Sequence, residues 1–108
     1  MASGRLAAVN PSSLTLTTVY TAPANKFGVV TINVYNQGSA NSTVELSIVA
    51  SSLASPTAPQ DFIEYKTVLD AGAQMERTGI VISDGQTIKI LTSGSDVGVM
   101  VWGIETDL

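Results

Sequence analysis

Apolar positions along this chain fall in short runs that alternate with polar ones, and Gly, Pro, Asn or Ser closes each run. Alternation with a period of two over about four to eight residues predicts half-buried β-strands. Phe27 to Tyr35 is the first strong case. Val30, Ile32 and Val34 point one way, and Val29, Thr31, Asn33 and Tyr35 the other. After a turn at Asn36-Gln37-Gly38, Val44, Leu46, Ile48 and Ala50 alternate with Thr43, Glu45, Ser47 and Val49. From Phe62 to Leu69 the pattern puts Phe62, Glu64, Lys66 and Val68 on one face and Ile63, Tyr65, Thr67 and Leu69 on the other. Ile80-Val81-Ile82 and Thr87 to Leu91 flank Ser83-Asp84-Gly85-Gln86, and Asp-Gly between β-branched runs predicts a hairpin. Val97 to Ile104 is apolar on both faces, Val97, Val99 and Val101 against Met100, Trp102 and Ile104. Such a run is a central strand covered on both sides or one whose outer face meets another chain.

The remaining segments read less sharply. Leu14, Leu16, Thr18 and Tyr20 share a face in a β-rich run that Ala22-Pro23 breaks. Residues 1–13 hold one apolar patch, Leu6-Ala7-Ala8-Val9, and read as an arm or an edge strand. Ser51 to Pro59 is a loop by composition, and residues 73–79, bracketed by Gly72 and Gly79, are expected to be extended. About seven or eight strands at this spacing predict an all-β fold, two antiparallel sheets in a sandwich. Jelly-roll and immunoglobulin-like arrangements both fit, because they differ in connection order and not in local pattern. The expected organisation is an N-terminal arm, 1–13, and one sandwich domain, 14–108.

Composition narrows the function. Only 13% of the residues are charged, about half the usual share, so the exposed faces are built from Ser, Thr, Asn, Gln and Gly or are covered by a partner. The net charge is −4 and the cations Arg5, Lys26, Lys66, Arg77 and Lys89 are scattered, which argues against nucleic acid as a partner. With no Cys there is neither disulfide nor thiolate metal site. Met1 to Arg5 has no apolar core of a signal peptide, and no run approaches the ~18 apolar residues of a membrane helix, so no membrane partner is expected.

Catalytic chemistry finds little to work with. Without His, a serine nucleophile lacks its usual base, and no Lys stands in an evident Ser–Lys arrangement. Asp61 and Glu64 fall on opposite faces of a strand, while Glu105 and Asp107 share a face only if the last strand reaches that far. Asp70, Asp84 and Asp96 each sit in a separate Gly-containing turn, where turn formation explains them without calcium. Glu76 and Arg77 form the one charged pair of a neutral stretch. No cofactor, metal site or enzymatic activity is expected. Tyr35 and Tyr65, each opposite an apolar face, are candidates for a sugar-binding pair, with core or inter-subunit packing the favoured reading. With the arm residues Leu6 and Val9 and the strand residues Met100 and Trp102, they make up the candidate interface.

Four groups of residues add a resemblance. They are Tyr20-Thr21-Ala22-Pro23-Ala24-Asn25-Lys26 leading to Val34-Tyr35-Asn36; Leu69-Asp70-Ala71-Gly72 followed by Glu76-Arg77-Thr78-Gly79-Ile80; Asp84-Gly85-Gln86-Thr87-Ile88; and Val101-Trp102-Gly103-Ile104-Glu105. Together they resemble small virion proteins of tailed bacteriophages, especially cyanobacterial and related phages, over roughly residues 14–105. The shared motifs are turns and strands and carry no catalytic residues. The resemblance implies a capsid decoration (cement) protein that binds major capsid protein and itself, with a trimer favoured over a dimer. A tail or baseplate accessory and a carbohydrate-binding receptor-recognition module are the alternatives. It further implies residence on the capsid surface of the virion after assembly in the host cytoplasm.

Overall fold

The computed structural model describes residues 3–50, 55–56 and 58–107. Eight strands follow in order: β1 (Ser3–Val9), β2 (Thr17–Thr21), β3 (Lys26–Asn36), β4 (Ser42–Ala50), β5 (Phe62–Leu69), β6 (Gln74–Ser83), β7 (Gln86–Thr92) and β8 (Val97–Asp107). They form two antiparallel four-stranded sheets, sheet A in the order β1-β8-β3-β6 and sheet B in the order β2-β7-β4-β5. Most of the Ser51–Pro59 loop expected from composition lies outside the described residues, and a single 3-10 turn at Pro59–Asp61 leads into β5.

The pairing has a simple rule. β4 pairs with β5, β3 with β6, β2 with β7 and β1 with β8. The chain is therefore one long folded ribbon. Two further pairings, β3 with β8 and β4 with β7, roll that ribbon into two sheets. This connection order is that of an eight-stranded jelly roll, which resolves the choice the local pattern left open.

The core lies between the sheets. Sheet A contributes Val30, Ile32, Val34, Ile82, Val97, Val99 and Val101, and sheet B contributes Val19, Tyr20, Val44, Leu46, Leu69, Ile88 and Ile90. Burial of this size is the main driving force for holding two four-stranded sheets together. Alternation placed most of these residues correctly. Val30, Ile32 and Val34 face inward as their spacing predicts, residues 74–83 are extended, and Val97, Val99 and Val101 line the inner face of a central strand.

Several local readings are corrected. Asp84-Gly85 does not close a hairpin: β6 pairs with β3 in sheet A and β7 with β2 and β4 in sheet B, so this turn is a corner between sheets. Gly85 adopts φ +83° there, Asp84 Oδ2 accepts from the Asn25 amide at 3.0 Å, and Gln86 Oε1 accepts from the Ser83 amide at 2.9 Å. In β5, Lys66 takes φ +51° and reverses the alternation, so Glu64 and Leu69, assigned to opposite faces by the pattern, are both buried. Leu14 lies before β2, in a left-handed conformation (φ +56°) and 74% exposed, and a bulge between Thr18 and Tyr20 buries both Val19 and Tyr20. Ala50 is exposed at the end of β4. Residues 3–9 form an edge strand paired with β8.

Gly103 marks the closest approach of two backbones. It pairs with Val30, and a Cβ there would collide with the carbonyl of Val29 on β3, whereas a Cβ on Gly98 meets nothing. Gly103→Ala is therefore expected to destabilise the fold by about 1–3 kcal/mol, the cost of overpacking a filled interior. Gly98→Ala should stay within about 0.5 kcal/mol of the parent. Urea unfolding of both variants checks this.

Candidate interaction surfaces

Two buried carboxylates invite a catalytic reading, and the geometry gives each a structural partner. Glu64 on β5 receives a hydrogen bond from Thr67 Oγ1 at 2.7 Å and an ion pair from Arg77 on β6. Arg77 thus bonds across the two sheets and not to its neighbour Glu76 through side chains. Glu105, on the inner face of β8, accepts a hydrogen bond from the Tyr20 hydroxyl of β2. β8 does run on to Asp107, but Asp107 is exposed and faces Lys26 Nζ at 3.5 Å. Among the described residues no three His, Cys, Asp or Glu side chains converge as a metal site would need. No described helix is long and apolar enough to cross a membrane.

The outer face of sheet A is different. Register places Val81, Val29 and Ile104 in one row, and Thr31, Trp102 and Arg5 in the next. Glu76, Asn33, Met100 and Ala8 make a third row, followed by Gln74, Tyr35 and Gly98. Val29, Tyr35, Val81, Met100 and Ile104, exposed at 44, 44, 60, 37 and 48%, are five of the eight large apolar side chains left open to solvent among the described residues. Arg5 and Glu76 are the only charges that the paired register sets on this face, and they stand on opposite edge strands. In its middle the buried Asn33 Oδ1 has no hydrogen-bond partner, on the wall of a depression of about 400 Å³ lined also by Ala8, Val9, Tyr35, Gly98 and Met100. An unpaired buried carbonyl costs free energy that an incoming donor would recover.

Sheet B carries a groove on its own outer face, about 690 Å³, between Leu16, Leu91, Phe62, Tyr65, Pro56 and Pro59, with Glu45 on its floor. Phe62 and Tyr65 meet edge to face, their centroids 4.8 Å apart at 73°. The Lys66 ammonium lies over the Tyr65 ring at 5.3 Å.

The residues expected at an interface are thus divided. Tyr35, Met100 and Trp102 share the outer face of sheet A, and Leu6 and Val9 on β1 pack against the core, Val9 also lining the depression. Tyr65 belongs to sheet B, so the Tyr35–Tyr65 sugar-binding pair does not exist. The pattern alone missed Val29, Val81 and Asn33 as members of the same face as Met100 and Trp102. Their alternation was legible; the strand order that brings them beside β8 was not. No protein-family model matches this sequence, and a comparison with curated proteins finds no match.

Tyr20 is the titrating group that this arrangement perturbs. Burial first, then the hydrogen bond to and the negative charge of Glu105, push its phenol well above the ordinary tyrosine value of about 10. Its contribution to stability is complete below about pH 10, where the phenol is protonated in folded and unfolded chains alike. It is lost as pH rises further, because the unfolded chain then releases the proton more readily. Tyr20→Phe should cost about 1–3 kcal/mol at neutral pH by leaving Glu105 without its donor. In urea melts taken up to about pH 11, the parent's advantage over the variant should shrink with rising pH.

Proposed function

We propose that this chain is a non-enzymatic structural protein of a phage virion, decorating and stabilising the capsid by binding between major capsid protein subunits and associating with itself. The observation that carries the reading is the outer face of sheet A. Strands about 4.8 Å apart that rise about 3.3 Å per residue make a four-stranded face on the order of 500 Å² in plane. That is near the scale of one side of a stable interface, ~800 Å² of accessible surface, and exposed Val29, Tyr35, Val81, Met100 and Ile104 make much of it apolar. Jelly rolls serve capsid and lectin domains alike, so the fold by itself does not choose between assembly and sugar binding. The turn-and-strand resemblance to phage virion proteins favours a capsid as the lattice.

The face also suits a second copy of itself. A two-fold axis running along the strands between β3 and β8 lays β1 of each copy over β6 of the other. β3 of each copy then lies over β8 of the other, so that Met100 stands over the partner's Asn33, and Arg5 stands over the partner's β6 one row from Glu76. This supports a dimer over the trimer favoured from sequence, and a dimer fits two-fold positions between capsomers. Each added contact would be buried surface that has to be lost before the shell opens, repeated many times over the lattice.

Light-scattering mass of the purified chain, alone and with phage capsids assembled without it, tests the proposal. The expected result is a discrete dimer that sediments with the capsids. Trp102→Ala and Met100→Lys should shift it to a folded monomer, with at least about a ten-fold loss of self-affinity, since both remove apolar contact from the middle of the face. A parent protein that stays monomeric and ignores capsids would sink the reading. Variants that unfold would show that these side chains serve the core.

A further inference from the structure

We infer that the groove on the outer face of sheet B is a binding site for an arginine side chain carried by an extended segment of a partner protein. The register makes a row across this sheet. Thr17 pairs with Ile90, which sets Leu16 beside Leu91, and Leu91 pairs with Glu45. On the far side of Glu45, the irregular stretch between the Val44–Thr67 and Leu46–Glu64 pairs brings Tyr65 alongside. A single half-buried carboxylate thus lies between a leucine and a tyrosine in a mostly apolar groove. Among the described residues Glu45 has neither a hydrogen bond nor an ion pair, which sets it apart from Glu64 and Glu105.

That environment selects the chemistry of an occupant. A partly desolvated, unpaired carboxylate favours a cation, and the chain's net charge of −4 draws cations toward it. The apolar walls favour a cation on a long aliphatic stem. Arginine meets both conditions: its planar guanidinium grips a carboxylate with two parallel hydrogen bonds, and its aliphatic stem covers leucine. A volume of about 690 Å³ exceeds what one side chain fills, leaving room for the flanking residues of a segment along Pro56 and Pro59. A sugar fits less well. The Tyr65 ring already has Lys66 over it and Phe62 meeting it edge to face, so it is no open stacking platform, and Glu45 is the one charged group offered to several hydroxyls. The groove lies on the opposite side of the sandwich from the sheet A face, so this inference holds or fails independently of the assembly reading.

The test is a titration of the isotope-labelled full chain, followed by amide chemical shifts. The probes are an acetylated Ala-Arg-Ala amide, the same peptide with neutral citrulline in place of arginine, and the neutral disaccharide diacetylchitobiose. The expected result is saturable perturbation around Glu45, Leu91 and Tyr65 by the arginine peptide, with the citrulline peptide and Glu45→Gln each weakening it about ten-fold, the worth of one charge-assisted pair. Glu45 is a surface position, and an otherwise unchanged spectrum of Glu45→Gln shows that the variant is folded. Equal response to arginine and citrulline, shifts confined to other surfaces, or no saturable response would overturn the inference. A groove that answers only to the disaccharide would overturn it in favour of a glycan site.

Discussion

Everything in this molecule depends on keeping two thin sheets face to face. A four-stranded antiparallel sheet with one apolar face has no stability of its own to spare, and here the inner faces supply it to each other through close packing of Val, Ile and Leu. The polar bonds that join the sheets are placed at their margins. Arg77 and Glu64 span β6 and β5, the edge strands on one side, and Tyr20 and Glu105 join β2 on the other side to β8. Buried polar pairs of this kind add modest net stability, since their desolvation offsets much of the attraction. Their use is to hold alignment: a sheet that slipped by one residue would strand a carboxylate in an apolar interior.

Because the inner faces and margins provide the cohesion, the outer faces are released from structural duty. The two are built differently. Sheet A offers a broad, almost uncharged face with one unpaired amide oxygen in a shallow depression, suited to another broad surface. Sheet B offers a trough with one carboxylate, suited to a side chain. A domain with unlike faces on opposite sides can join like to unlike. The low charge of the chain is in keeping with the proposal that one whole sheet face is contact surface.

Much of this was legible in the sequence, and the failures share a cause. Alternation located β3, β4, β6 and β8 and named most of their core residues, because period-two patterning is a local property. It misjudged β5, where a left-handed Lys66 inverts the phase, since no propensity marks that residue for positive φ. It misjudged Asp84-Gly85, because the same dipeptide serves a hairpin and a corner between sheets, and only the distant partners of β6 and β7 decide which. The interface was half visible for the same reason. Met100 and Trp102 announced themselves as apolar outward residues on a strand already apolar inward. Val29 and Val81 looked like ordinary strand residues until the topology set them beside Ile104. Tyr35 and Tyr65, similar in sequence context, were separated onto opposite sheets by strand order alone.

The position of β8 has a consequence in time. It is the last of the eight strands along the chain, yet it sits inside sheet A, flanked by β1 and β3. β1 pairs with no other strand, so it waits through synthesis of nearly the whole domain before it has a partner. Contacts this far apart in sequence make folding slow, on the order of milliseconds to seconds for a sandwich of this type. Until β8 arrives, β1 and β3 expose open edges, the kind of surface through which half-made chains join one another. A chain interrupted before Val97 would therefore do more than lose one strand. It would leave sheet A split into a lone strand and a β3–β6 pair, and the interval before β8 emerges is when this protein most needs protection from its own copies.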